Sequence, residues 1–366
     1  MADEELYYRL ALTSVPNVGP ILGKTLFSYF GSAAEIFKAK KKQLERVPNI
    51  GEVTANSIIH FDNFDWVSGE LAFAEKHDIK VVFYTDEGYP SRLKKYDQSP
   101  LLLYYKGTDC LNSNFSVGIV GTRDATDYGK RFTEKLVAEL QPFGCTIISG
   151  LAYGIDIAAH KAAIKNGLPT IGVLGNGLKT IYPGQHKSIA AKMIEHGGLL
   201  TEYPKDEIPD RNNFPERNRI VAALSDALVV VESGEGGGSM ITVEYASEYK
   251  KPIFALPGPF DGKYSMGCNS LIKNGHAMML DCAADIANYL KWGLESGNTK
   301  PQSKLFEDLL PHELSIVQLL NEHKKLHIDQ LASLLEMQSH TFTFTLLDLE
   351  MKSLVRAMPG KYYELC

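Results

Sequence analysis

No other part of this chain restricts its fold as much as the stretch from Phe115 to His160. It reads F-S-V-G-I-V-G-T-R-D-A-T-D-Y-G-K-R, then an amphipathic run, then C-T-I-I-S-G-L-A-Y-G-I-D-I-A-A-H. Val117 to Val120 is a short apolar run rich in β-branched residues, the pattern of a buried parallel strand. It stops at Gly121-Thr122-Arg123, and Phe132, Leu136, Val137 and Leu140 then recur at helical spacing. A second strand, Thr146 to Ile148, ends at Ser149-Gly150, and a third, Thr170 to Leu174, ends at Gly175-Asn176-Gly177. Strand, glycine turn and helix alternate. That alternation predicts an α/β fold built on a doubly wound parallel sheet, with its site at the carboxyl ends of the strands.

The rest of the chain arranges itself around this core. Residues 1–66 read as a helical domain with two echoing segments, Val15-Pro-Asn-Val-Gly19-Pro and Val47-Pro-Asn-Ile-Gly51-Glu. Each precedes a helix-forming run, as in a helix-hairpin-helix whose backbone amides approach a phosphate. Lys24 follows the first copy; the plainer reading is a helical bundle whose hairpins only turn the chain. Residues 67–292 form the α/β core, with strands at Lys80–Tyr84 and Leu101–Tyr105 extending the sheet. Residues 293–310 read as a polar linker. Residues 311–366 give three helices and a hairpin turning at Pro359-Gly360, the element set of a winged helix. Its third helix carries Asp348 and Glu350 with only Lys352 as a base, a poor neighbour for phosphate.

Composition narrows the function. A net charge of -6 argues against a generally basic nucleic-acid coat, but not against a local basic groove. No run approaches the ~20 apolar residues of a membrane span. The acidic start, M-A-D-E-E-L, lacks a signal-peptide n-region. Five cysteines without a C-x-x-C pair fit a reduced, cytoplasmic protein.

The core's motifs point to binding rather than catalysis. The dinucleotide fingerprint fails: the first turn is G-I-V-G-T-R and no carboxylate closes the second strand. No P-loop, zinc spacing or G-x-S-x-G elbow occurs. Asp156 and His160 stand four apart on an Ala-rich helix, where a core histidine is the plain reading. Three helix starts could face an anion along one sheet edge: the turn at Gly121, Thr122 and Arg123; Ser149-Gly150, with its amide and hydroxyl; and Gly236-Gly237-Gly238-Ser239 before a helical run from Thr242. Arg123 adds a bidentate fork for phosphate, unless it pairs with a core carboxylate such as Asp156. Arg217 and Arg219 flank Asn218 in F-P-E-R-N-R-I, as ligand contacts or as an ion pair with Glu216 or Glu202. Lys179 precedes Tyr182 in G-N-G-L-K-T-I-Y-P; charge beside a ring suits single-stranded nucleic acid.

Taken together, V-G-I-V-G-T-R, S-G-L-A-Y-G-I-D-I-A-A-H, V-L-G-N-G-L…Y-P, L-L-T-E-Y-P, F-P-E-R-N-R-I, G-G-S-M-I-T and P-G-P…G-C-N-S-L-I-K resemble the DprA/Smf family of DNA-processing proteins. The resemblance runs through the whole core in order and extends into both flanks. It implies an extended Rossmann-like core that binds single-stranded DNA and loads the recombinase RecA on it during natural transformation. It also implies a homodimer, no cofactor and no catalysis. Carried onto matching positions, the DNA pocket would comprise Gly121, Thr122, Arg123, Ser149, Gly150, Gly154, Lys179, Tyr182, Arg217, Asn218, Arg219 and Ser239. The apolar residues of Leu271-Ile272 and Ala277-Met278-Met279-Leu280 are the expected dimer surface. Glu235-Gly236 lengthens the turn before Gly237, a departure from the family pattern. The alternative is a nucleoside-5'-phosphate phosphoribohydrolase of the lysine-decarboxylase-like fold, whose P-G-G-x-G-T-x-x-E signature is kept only at Gly237-Gly238 and Glu244.

Overall fold

The computed structural model describes residues 2–293, 310–323, 325–335, 339–352, 354–358 and 360–365. It divides into two compact units, Met1–Gly293 and Leu294–Cys366. Apart from Gly293 and Leu310, the linker expected at 293–310 lies outside the described residues.

The first unit opens with six helices: α1 (Ala2–Ser14), α2 (Pro20–Phe30), α3 (Ala33–Lys38), α4 (Lys41–Leu44), α5 (Glu52–Ile59) and α6 (Phe64–Lys76). Strands β1 (Lys80–Phe83), β2 (Leu102–Gly107) and β3 (Ser116–Val120) follow. Next come α7 (Asp127–Leu140), β4 (Thr146–Ser149), α8 (Ile155–Lys165), β5 (Thr170–Val173), α9 (Lys187–His196) and β6 (Gly197–Thr201). The unit continues through α10 (Asn213–Leu224), β7 (Ala227–Val230), α11 (Gly238–Glu248), β8 (Ile253–Ala255), α12 (Met266–Lys273), β9 (Met278–Met279) and α13 (Ala283–Tyr289).

The nine strands form one sheet in the order β1-β2-β6-β5-β4-β3-β7-β8-β9. From β6 to β9 every neighbouring pair is parallel. The chain winds outward from β3 to β6, then returns to the other side of β3 and winds to β9. The direction therefore reverses between β3 and β7, where an open α/β sheet leaves a crevice beyond its carboxyl ends. β1 and β2 do extend the sheet, but antiparallel, β2 lying against β6. Between β1 and β2 the chain holds only a short 3₁₀ turn, Leu93–Lys95, and a parallel pair would need a full crossover.

Alternation along the strands makes two cores. Val117 and Ile119 of β3 point, with Val229, towards α7, α8 and α13. Val120, Leu228 and Val230 point towards α10, α11 and α12. Sheet faces covered on both sides explain why these strands read as unbroken apolar runs. β6 begins at Gly197, two residues before the L-L-T-E-Y-P motif. Its first two positions, Gly197 and Gly198, have no room for a side chain: a Cβ at either would strike the Thr170 backbone or the Tyr105 ring. On the other edge, Leu10 and Ala11 of α1 share a core with Val67 of α6 and with Phe83, Leu102 and Tyr104 of the strands.

The expected dimer patch needs correction. Leu271, Ala277 and Leu280 are buried against the sheet; of that set Met279, on edge strand β9, is the exposed one. Short apolar stretches near a sheet edge are first needed to cover it.

The second unit has α14 (Pro311–His323), β10 (Lys325–His327), α15 (Ile328–Leu335), α16 (Ser339–Met351), β11 (Val355–Met358) and β12 (Tyr362–Leu365). The strands pair antiparallel in the order β10-β12-β11 over a core of Ile316, Leu320, Leu331, Leu346 and Leu349. Among the described residues, no helix is long and apolar enough to cross a membrane.

Candidate nucleic-acid interface

The crevice between β3 and β7 holds a cavity of about 820 Å³. Three elements build it: the turn after β3 (Gly121, Thr122, Arg123), one face of α10 (Phe214, Arg217, Asn218), and the start of α11 with the glycine run before it. Arg211, Lys263 and Tyr264 complete the rim. Four cations thus meet one carboxylate, Asp156, among the described residues that line it.

Helical periodicity sorts α10. Phe214, Arg217 and Asn218 are spaced i, i+3, i+4 and share the cavity face. Arg219 is two residues from Arg217 and so points elsewhere. Its guanidinium forms a bidentate pair with Glu202, at 2.7 and 2.6 Å, and does not line the cavity. Arg219 is therefore corrected to a structural ion pair.

Arg217 is buried at the cavity floor, 4% exposed. It donates to Gly150 O at 2.6 Å and to Val173 O. Burial lowers its pKa to about 10, against the opposing pull of Asp156, so it stays charged at neutral pH. Its Nε is buried without a partner among the described residues. Gly150 is glycine for this reason: a Cβ there would sit 2.6 Å from the guanidinium.

The three anticipated anion sites reduce to one. Helix α7 does not start at the Gly121 turn but at Asp127, capped by Thr126. A carboxylate already sits there: Glu232 accepts from Thr126 N at 2.9 Å and Thr126 Oγ1 at 2.5 Å. The Thr122 amide donates to Glu232 O, so it is not free for a ligand. At the second start, Asp156 accepts from Gly150 N and Ala152 N at 3.2 and 3.3 Å. Burial raises the Asp156 pKa, while Arg217 and these amides oppose the shift. Ser149 is fully buried and donates its hydroxyl to Ile119 O, so neither it nor the Gly150 amide faces a ligand. Gly154, at φ 75°, caps α8 with its Cα against the Thr122 and Arg123 carbonyls; its role is close packing. Only α11 starts open. Gly237 caps it without a side-chain bond, its first turn holds no acid, and Gly237, Gly238 and Ser239 line the cavity.

Arg123 is exposed and, among the described residues, forms no ion pair; its guanidinium lies 5.7 Å from the Phe214 ring centroid. Tyr182 is stacked on the same ring at 5.8 Å, with 25° between planes. Lys179 is instead paired with Asp206 at 2.6 Å, outside the cavity. Ser239 is buried, its hydroxyl on Ser233. His160 is a core residue on Thr170, held neutral with a pKa of about 3 by burial. Lys24 is likewise withdrawn: its ammonium is held by Tyr96 O, Asp97 O and Ser99 Oγ. Sequence reasoning missed Arg211, Phe214, Lys263 and Tyr264. The base-beside-ring signal used for Lys179 and Tyr182 is equally present in Lys263-Tyr264.

Comparison with known proteins agrees with this architecture. The DNA recombination-mediator protein A family matches residues 80–291. The chain belongs to that family, also called DprA/Smf. A SAM-like helix-hairpin-helix tandem matches residues 10–61. The Smf protein of Synechocystis sp. is 39% identical, over 76% of this chain and 71% of its own. The crystal structure of DNA processing protein A (DprA) from Streptococcus pneumoniae superposes with a TM-score of 0.66 at 30% identity, covering 77% of this chain and 97% of that one. DNA processing protein A from Helicobacter pylori, described for its unique single-stranded DNA binding mode, gives 0.53 at 33% identity over 58% and 95%. This DprA/Smf chain thus has the family's core and the tandem of hairpins ahead of it.

Proposed function

We propose that this chain binds single-stranded DNA in the cavity between β3 and β7, without reading base edges, and loads a RecA-type recombinase on it. We place it in the cytoplasm as a homodimer that performs no catalytic step. One observation carries the binding reading. Arg123, Arg211, Arg217 and Lys263 converge with the open start of α11 on a cavity that also presents the Tyr182–Phe214 ring pair. Charge and amides suit phosphate, and rings suit an unstacked base. In a duplex the bases are stacked inside and cannot reach those rings. The binding mode described for the Helicobacter pylori relative supports the same ligand. Family membership supports the recombinase and the dimer.

The phosphoribohydrolase alternative lacks its acid. Glu244 is exposed and outside the cavity lining, and Asp156 is buried on two amides. The second unit is a poor DNA reader: Lys352, the base beside α16, is held by Glu313 and Asp348 at 2.7 and 2.8 Å. The test is a titration of labelled oligo-dT and a duplex of equal length at several salt concentrations. Single strands should bind more tightly, with affinity falling as salt rises. Tighter duplex binding, or no dependence on salt, contradicts the proposal.

A further inference from the structure

Beside the first cavity lies a second, of about 690 Å³. Lys263 and Tyr264 line both, and Ser233 of the first adjoins Glu232 of the second. We propose that this second cavity is a base-binding subsite for the nucleotide adjoining the one held in the first; the proposal rests on the single-stranded DNA reading above.

The lining decides the occupant. Two tyrosine rings, Tyr128 and Tyr264, stand with Pro257 and Pro259 around it, so its walls present faces for stacking. Lys263 is the one cation among the described residues that line it. That lysine stands on the shared wall, where a phosphate linking two adjacent nucleotides would pass. Deeper in, Glu232 is 4% exposed and already accepts two bonds from Thr126. A buried carboxylate repels phosphate but tolerates the neutral edge of a base. A phosphate at the rim and a base inside follow from that order of charges.

The walls are held in place before any ligand arrives. The Tyr128 hydroxyl donates to Pro257 O at 2.9 Å, and the Tyr264 hydroxyl to Asp124 at 3.0 Å. The Asn269 amide clamps Gly258 from both sides, accepting from its N–H at 3.1 Å and donating to its carbonyl at 3.0 Å. A preformed slot loses little entropy when a base enters.

Tyr128 lines only the second cavity, so it separates the two sites. The experiment uses the full chain with oligo-dT carrying photoreactive 5-iododeoxyuridine, plus the variants Tyr128→Ala, Tyr128→Phe and Arg123→Ala. Crosslinks mapped by mass spectrometry should fall on Tyr128 or Tyr264 as well as on Tyr182 or Phe214. Tyr128→Ala should weaken oligo-dT binding by about five- to a hundredfold, the range of one lost base stack. Tyr128→Phe, which keeps the ring, should recover most of that loss. Crosslinks confined to Tyr182 and Phe214, or full affinity of Tyr128→Ala beside lost affinity of Arg123→Ala, overturn the second subsite alone. A wild-type chain that binds no oligo-dT overturns both readings together. Should Tyr128→Ala fold poorly, the wild-type crosslinks still decide.

Discussion

Helices α7 and α11 begin a few residues beyond neighbouring strands, β3 and β7, and their first turns differ in what fills them. At α7 the Glu232 carboxylate is bonded to Thr126, the cap residue, through both its amide and its hydroxyl. Gly129, one turn in, is glycine because a Cβ there would collide with that carboxylate. At α11 glycines stand where α7 has Thr126 and Asp127; no side chain caps the turn, which opens on the cavity. Both helices carry the same partial charge at their first turn. The difference shows that a helix start is a ligand site only where the protein has not supplied its own anion. Asp156 makes the same point at the turn into α8, with Arg217 as its counter-charge.

The largest way to break this comparison is to remove the cation beneath the open start. Arg217→Ala leaves two buried carbonyls without their donor and removes the positive charge that offsets buried Asp156. Loss of one member of such a buried network should cost roughly 3–5 kcal/mol of stability, read from urea unfolding, along with DNA binding. A variant with wild-type stability would show that Arg217 is no internal strut.

Exchanging the two starts sharpens it. Glu232→Ala should destabilise by about 0.5–2 kcal/mol, because it removes the two bonds by which the carboxylate holds the exposed cap residue Thr126 in place. Gly238→Asp should do the opposite at α11. A Cβ at 238 meets nothing within 4 Å, so the acid fits. It should add about 0.3–1 kcal/mol to stability through the helix dipole while displacing phosphate, lowering oligo-dT affinity by about tenfold or more. Unchanged affinity of Gly238→Asp would show that α11 is not part of the phosphate site.

The smallest effect concerns pH and contrasts Arg217 with a half-buried lysine. Burial pulls Lys251 from its ordinary 10.5 to about 8. Between pH 8 and 10.5 the unfolded chain therefore binds more protons at this residue than the folded one, so its contribution makes stability rise with pH across that window. Below pH 8 the penalty is fully present. Lys251→Met should flatten that rise relative to wild type in melts taken from pH 7.5 to 10; an identical profile would place Lys251 at its ordinary value.

Much of this was legible in the residues. The β-branched runs ending in glycine turns marked β3, β4 and β5 to within a residue, since a buried parallel strand has little choice of composition. What the sequence hid was non-local. Nothing near Thr126 announces that a carboxylate 106 residues away will cap α7. Nothing near Lys24 announces the loop at 96–99 that withdraws its ammonium. The separation of Arg217 from Arg219 was readable from the 3.6-residue period alone, once Asn213–Leu224 is taken as a helix. The start of α11 at Gly238 rather than Thr242 was obscured by the glycines that make the turn useful.

Arg123 carries the central claim, because it is exposed on the cavity rim and, among the described residues, has no ion pair. The decisive measurement takes Arg123→Ala and wild type through a thermal melt and an oligo-dT titration on the same preparations. The account predicts an unchanged melting temperature and an affinity lowered about ten- to a hundredfold, the loss of one charge-assisted phosphate contact worth roughly 1.5–3 kcal/mol, with Arg123→Lys recovering part of it. A normal melt with full DNA affinity would remove Arg123 from the site and contradict the account.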